Sequence, residues 1–179
     1  MATKTLLTIA DFEQLPQEEA EGHELVDGEL VDVSGNNLEH NSLQLWLAAG
    51  MLQTVSGQHL GTVLTEQEYD FNGNAHGPDI SFFGLEKQSL REPKRRVQPF
   101  VPDLAVEIVS PDDTFDALAQ KTGRYRKCGT AEVWIVSPVA QEVLVYSERG
   151  DCILRGDALL STPLIPGFRI PVRALFEQI

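Results

Sequence analysis

Glu107 stands inside Leu104-Ala105-Val106-Glu107-Ile108-Val109, a stretch with no other polar side chain. A carboxylate among apolar neighbours is costly unless it is paired with a cation or bound to a metal. An arginine partner or a sheet-edge position would also account for it. Asp79 is the second acid of interest. It follows Pro78 and opens the apolar run Ile80-Ser81-Phe82-Phe83, so its carboxylate falls at the mouth of a strand. A turn aspartate explains Pro78-Asp79 equally well by itself; the pairing with Glu107 is what points to chemistry. Two carboxylates on neighbouring strands repel and call for a cation between them. All-oxygen donors favour Mg²⁺ or Mn²⁺ over zinc. Lys121 is the third. At about 100° per residue from Phe115 it lies one step beyond the apolar arc of its helix. There it either snorkels to water or reaches the acids and stabilises charge developing on a phosphate.

These residues need a scaffold, and the patterning supplies one. Residues 8–20 read as a short helix capped by Thr8 and anchored by Phe12 and Leu15. Asp27-Gly28 between apolar pairs predicts a hairpin. Residues 38–55 predict a long, well-buried helix: Leu38, Leu45, Ala49 and Leu52 keep helical spacing, and Leu43, Trp46, Leu47 and Met51 widen the face. Strands follow at 61–71 and 78–83, then a polar, basic loop at 84–99. The strand 102–109 points Leu104, Val106 and Ile108 one way and Ala105, Glu107 and Val109 the other; being apolar on both faces, it reads as central. A helix capped by Asp112, Asp113 or Thr114 runs to Cys128 and stops at Gly129, with Phe115, Leu118, Ala119, Thr122 and Tyr125 as its stripe. A buried strand at 132–136, a hairpin at 141–147 and 151–156, and a covering tail from Leu164 to Phe176 complete the chain. Trp46 and Trp134 are expected in the core. The order predicts one α/β domain over residues 1–179, a mixed sheet between helices with an added N-terminal hairpin.

Composition narrows the function classes. With 179 residues and a net charge of −13, the chain is not a general coat for nucleic acid. The charge is uneven: residues 1–86 hold one basic residue against 15 acidic ones, while residues 87–127 hold nine of the 14 basic residues. One local basic surface on an acidic protein can still meet a polyanion. Lys87, Arg91, Lys94, Arg95 and Arg96 would form it, with Arg124 and Lys127 extending it from the exposed side of the Lys121 helix; a solvated loop is the plainer meaning of such a run. No apolar run suits a bilayer or a signal peptide. Cys128 and Cys152 form no CxxC motif, and free thiols in a reducing cytoplasm are expected.

The successive motifs ELVDGEL, EH, PDI, PDLAVEIVSP, KTGRYRKCGTAEVWIV and PGFRIP resemble, over nearly the whole chain, a bacterial family of putative restriction endonucleases, long classed as a domain of unknown function, within the PD-(D/E)XK nuclease superfamily. The resemblance implies a restriction-endonuclease-like fold with a metal site at the cleft of the sheet. Asp79 matches the PD aspartate, Glu107 the (D/E), and Lys121 a lysine moved onto the following helix, because Val109 stands where the motif places lysine. The main-chain carbonyl of Ile108 would be a further metal ligand. Glu24 matches an acid that the first region often contributes, although a surface hairpin residue is the simpler reading. His40 would touch phosphate or water, or merely belong to a cap. The implied activity is Mg²⁺- or Mn²⁺-dependent hydrolysis of DNA phosphodiester bonds by a homodimer. The alternative is an inactive nuclease fold that binds nucleic acid or protein.

Overall fold

A computed structural model describes residues 5–33 and 36–177. Thr8 opens α1 (Ile9–Glu13) with a reciprocal cap: its side chain accepts from the Asp11 amide while Asp11 accepts from the Thr8 amide. The helix expected over residues 8–20 is broken. Pro16 has no N–H to carry the ladder onward and instead caps a separate turn, α2 (Gln17–Ala20). The hairpin of β1 (His23–Val26) and β2 (Glu29–Asp32) turns at Asp27 and Gly28, with φ of 51° and 82°. Positive φ at both positions is what a two-residue type I′ turn requires. Asn37 caps α3 (Leu38–Gln58) by accepting from the His40 amide.

The strand expected over residues 61–71 is also divided. β3 (Gly61–Thr65) ends where Glu66 takes a φ of 55°. The chain then leaves the main sheet, and β4 (Tyr69–Asp70) pairs with β5 (Ala75–His76). β6 (Ile80–Gly84) is followed by a 3-10 turn over Leu85–Leu90, where a plain loop was expected. Next come β7 (Leu104–Ile108), α4 (Phe115–Lys127), β8 (Glu132–Ser137), β9 (Glu142–Ser147) and β10 (Cys152–Arg155). Of the three candidate caps, Thr114 caps α4. The tail folds as β11 (Leu159–Ser161), β12 (Arg169–Pro171) and α5 (Val172–Phe176).

The main sheet has the order β10-β9-β8-β7-β6-β3 and is antiparallel except for the β7–β8 pair. β7 is central, as its two apolar faces required. On one face Leu104, Val106 and Ile108 pack with Leu43, Leu47, Met51 and Val55 of α3 and with α5. On the other, Ala105 packs with Tyr125 of α4 and with Phe71, Phe83 and Phe100. A smaller sheet, β2-β1-β5-β4, carries its own apolar cluster of Phe12, Ala20, Leu25, Ala75 and Val97. The architecture is thus a mixed α/β sheet flanked by helices, with the N-terminal hairpin built into a second sheet.

The helix α3 departs from expectation. Leu43, Leu47, Met51 and Val55 are buried, whereas Leu38 (83% exposed), Leu45 (70%), Trp46 (53%) and Leu52 (49%) face outward. Two apolar stripes share the helix, and the sheet covers one of them. Trp46 is therefore not a core residue, while Trp134 is. Phe115, at the first turn of α4, is also exposed, because the buried face begins only farther along, at Thr122 and Tyr125.

Candidate active site

The antiparallel register of β6 and β7 sets Ile80 opposite Val106, and one further step sets Asp79 opposite Glu107. Asp79 stands just outside the ladder. Its Oδ2 accepts from the Ile108 amide at 2.6 Å, and its Oδ1 lies 3.2 Å from His40 Nε2 in the first turn of α3. Gln44, one turn on, donates to the Asp79 carbonyl at 2.9 Å and also to Glu66. Burial pushes His40 down, but its hydrogen bond to Asp79 and the charges of Asp79 and Glu66 outweigh burial, so its pKa is raised. Its Nδ1 is buried with no hydrogen-bond partner.

Glu107 points from β7 toward α4. Tyr125 donates to Oε1 at 2.6 Å and Lys121 to Oε2 at 3.1 Å. Lys121 and Tyr125 are four residues apart and so lie on one helix face; each takes one oxygen of the same acid. Lys121 also reaches Glu24 Oε1 at 3.0 Å. Glu24, on β1, accepts in addition from the Gly77 amide at 3.0 Å, and its Oε2 lies 2.7 Å from His76 Nδ1. The second sheet therefore supplies the far wall of the site.

These carboxylates respond differently to their surroundings. Burial pushes Glu107 up; the charge of Lys121 opposes this, the nearby Asp79 and Glu24 reinforce it, and Glu107 stands at about 8. For Glu24, burial is outweighed by Lys121 and His76, which bring it down to about 2. Burial also raises Glu66. Lys121 is partly buried, which would lower it, yet Glu107 and Glu24 hold it protonated far into the alkaline range.

Asp79, Glu107, Lys121, Glu24 and His40 thus meet around one cleft of about 450 Å³. Its wall includes seven acidic residues (Glu24, Asp32, Glu66, Asp79, Glu107, Asp112 and Asp113) and two basic ones, Lys121 and Arg124. Ile108 enters the hydrogen bonding through its amide. Arg124 was expected on the exposed side of α4; instead it leans over the second sheet and binds Asp27, Asn74 and His76. The basic loop does not line this cleft. Lys87 pairs with Asp103, Arg95 with Glu13, and Arg96 with Glu68, so these charges fasten the loop to the fold. Arg91 bonds Gln88, and Lys94 lies with Arg95 and Arg96 in a separate depression beside Glu13.

Sequence reasoning passed over Tyr125, His76, Glu66 and Gln44. The spacing of Tyr125 from Lys121 was a usable signal for the first. The others approach through tertiary contacts that no local pattern announces.

The donor set suits a hard divalent cation. Asp79 and Glu107 offer carboxylate oxygens, and the crowding of acids that raises Glu107 is what a cation would relieve. Among the described residues no three His, Cys, Asp or Glu side chains form a ready-made cage, so main chain, water or substrate would complete the shell.

A family model described as putative restriction endonuclease, Uma2, matches residues 9–173. No curated protein matches the sequence. Among solved structures, a putative nuclease belonging to DUF820 from Anabaena variabilis superposes with a TM-score of 0.85 at 24% identity. The match covers 96% of this chain and 98% of that one, and at such identity it speaks for the fold.

Proposed function

The chain belongs to the Uma2 family of putative restriction endonucleases, and from that premise we propose that it is a metal-dependent nuclease hydrolysing DNA phosphodiester bonds at Asp79, Glu107 and Lys121. The observation that carries this reading is the convergence of the two acids, one just before β6 and one on β7, with the Lys121 ammonium from α4.

Mg²⁺ or Mn²⁺ would be held by Asp79 and Glu107 with the Ile108 carbonyl; when bound, it supplies an activated water and neutralises the scissile phosphate. The chain's own groups do the positioning. His40 and the Ile108 amide fix Asp79, while Tyr125 and Lys121 fix both oxygens of Glu107. Because Lys121 stays protonated, its role is that of a cation toward charge developing on the phosphate, and not that of a base.

The competing reading is a binding module without catalysis. It is favoured by the acidity of the cleft, whose two cations are already engaged by Glu24, Glu107 and Asp27. Incubating supercoiled plasmid with the protein and Mg²⁺ or Mn²⁺ separates the two. Cleavage that falls by about 10²–10³-fold in Lys121→Met supports the nuclease. Retention of DNA on the protein without cleavage in either metal supports the module.

A homodimer would suit a duplex substrate. The exposed α3 stripe is our candidate contact, since no Asp, Glu, Lys or Arg occurs between His40 and Gln58. A two-fold axis at Leu45 would set Leu38 of one copy against Leu52 of the other. Sedimentation of wild type and Leu45→Glu tests it: a dimer in the first and a monomer in the second is the expected result.

No described helix is long and apolar enough to cross a membrane.

A further inference from the structure

His76 lies three residues before Asp79 and outside every motif singled out in the sequence. It is 3% exposed, on β5, with its ring edge-on to Tyr125 (5.6 Å between centroids) and tilted against Phe71 (5.7 Å). Both of its nitrogens are engaged. Nδ1 is 2.7 Å from Glu24 Oε2, and Nε2 is 3.1 Å from Arg124 Nη1.

Arg124 settles which nitrogen carries the proton. A guanidinium has donors only, so the ring nitrogen facing it must accept. Nε2 is therefore bare, the ring is neutral, and Nδ1–H donates to Glu24. Burial, which lowers the pKa of His76 despite the neighbouring Glu24, favours the same neutral form. Arg124 is fixed in turn: Nη1 also donates to Asn74 Oδ1 at 2.9 Å, and Nη2 to Asp27 Oδ2 at 3.0 Å. Asn74 Oδ1 accepts the Asp27 amide at 2.7 Å as well.

The bonds form one chain from the hairpin turn to the lysine: Asp27, Arg124, His76, Glu24, Lys121. Val109 stands two residues after Glu107, where the family motif places lysine, and Lys121 reaches the site on a long, flexible stem from a helix. Such a group needs a second anchor. Glu24 provides it, and His76 with the Gly77 amide keeps Glu24 from turning away.

We infer that His76 is a positioning residue: as the neutral Nδ1–H tautomer, locked by Arg124, it orients Glu24 and thereby holds the Lys121 ammonium beside Glu107. A metal-ligating or catalytic acid is commonly oriented this way by a neighbour that never touches the substrate. The inference rests on the proposed role of Lys121, and its test has one readout that does not.

The protein is labelled with ¹⁵N-lysine, and the slowly exchanging ammonium signal of Lys121 is assigned by its loss in Lys121→Met, without metal. The expected result is that this signal broadens away in His76→Phe and persists in His76→Asn, whose amide keeps the bond to Glu24. Plasmid cleavage should fall by about 10–100-fold in His76→Phe with little change in KM, and recover in His76→Asn. Should His76→Phe fail to fold, His76→Leu, which likewise removes the donor to Glu24, takes its place with the same expected direction. A Lys121 signal unchanged in these variants overturns the inference whatever the cleavage rate. A lost signal with wild-type cleavage keeps the tether and overturns the catalytic role of Lys121.

Discussion

Strands β1 and β7 each bury one glutamate against the same ammonium, and the two acids end in opposite states. Glu24 on β1 collects Lys121, His76 and the Gly77 amide. It is brought down to about 2 and serves as a fixed anion. Glu107 on β7, equally buried, has Lys121 and Tyr125 but also Asp79 and Glu24 as like charges, and is pushed up to about 8. The difference teaches that carboxyl count alone does not define a metal site. In the proposed reading the acid already saturated by donors is structural support. The acid left with unfavourable charge is the one a cation would stabilise.

The strongest test of this contrast is turnover. Glu107→Gln should lose about 10³-fold or more in plasmid cleavage, whereas Glu24→Gln should lose about 10–100-fold, as an orienting residue does. Equal losses would break the distinction. Calorimetric titration of Mn²⁺ comes next: the heat of binding should vanish in Glu107→Gln and Asp79→Asn and survive in Glu24→Gln.

Stability against pH sharpens the comparison further. A group whose folded pKa is raised above the ordinary glutamate value binds its proton more tightly when folded, so stability falls as pH rises from about 4.5 to 8. Metal-free Glu107→Gln should therefore melt above wild type at pH 8, by about 2–6 °C, and the gap should close toward pH 4. Saturating Mg²⁺ should reverse the order, since only the wild type gains from binding. Glu24 has the opposite sign. Its contribution is full above the ordinary glutamate value and disappears as pH falls toward about 2, so Glu24→Gln should melt below wild type at neutral pH. The smallest effect is expected for Tyr125→Phe, which removes one donor from Glu107 alone. It should cost about 1 kcal/mol of stability in urea unfolding and leave the Lys121–Glu24 contact intact.

The two helices show why some of this was legible in advance and some was not. On α4 the sequence marked the cap region and set Lys121 at the border of the apolar arc, although the buried face begins only at Thr122 and Tyr125 and leaves Phe115 exposed. On α3 apolar side chains fall on more than one side of the helix, so periodicity could not tell which stripe meets the sheet. It named both Leu38, Leu45 and Leu52 and the widening set Leu43, Trp46, Leu47 and Met51, and of these Leu43, Leu47 and Met51 are buried while the others face outward. The basic loop misled for a related reason. A run of positive charge along the chain says nothing of its partners, and Glu13, Glu68 and Asp103 from other segments pair with three of its five cations.

What the sequence determined by itself are the features set by local chemistry. Asp27-Gly28 dictated the hairpin, since only such a pair takes two positive φ values cheaply. The two-sided apolarity of Leu104–Val109 dictated a central strand with one exceptional acid. The motifs shared with the family singled out Asp79, Glu107 and Lys121, which the fold brings to one cleft. Only the tertiary structure decided which groups surround them. Glu24 and His76 come from a second sheet, and Arg124 turns back from α4 to lock their geometry. A pKa near 8 for one glutamate and near 2 for another reflects burial and charges brought from distant parts of the chain, and no local pattern encodes those distances.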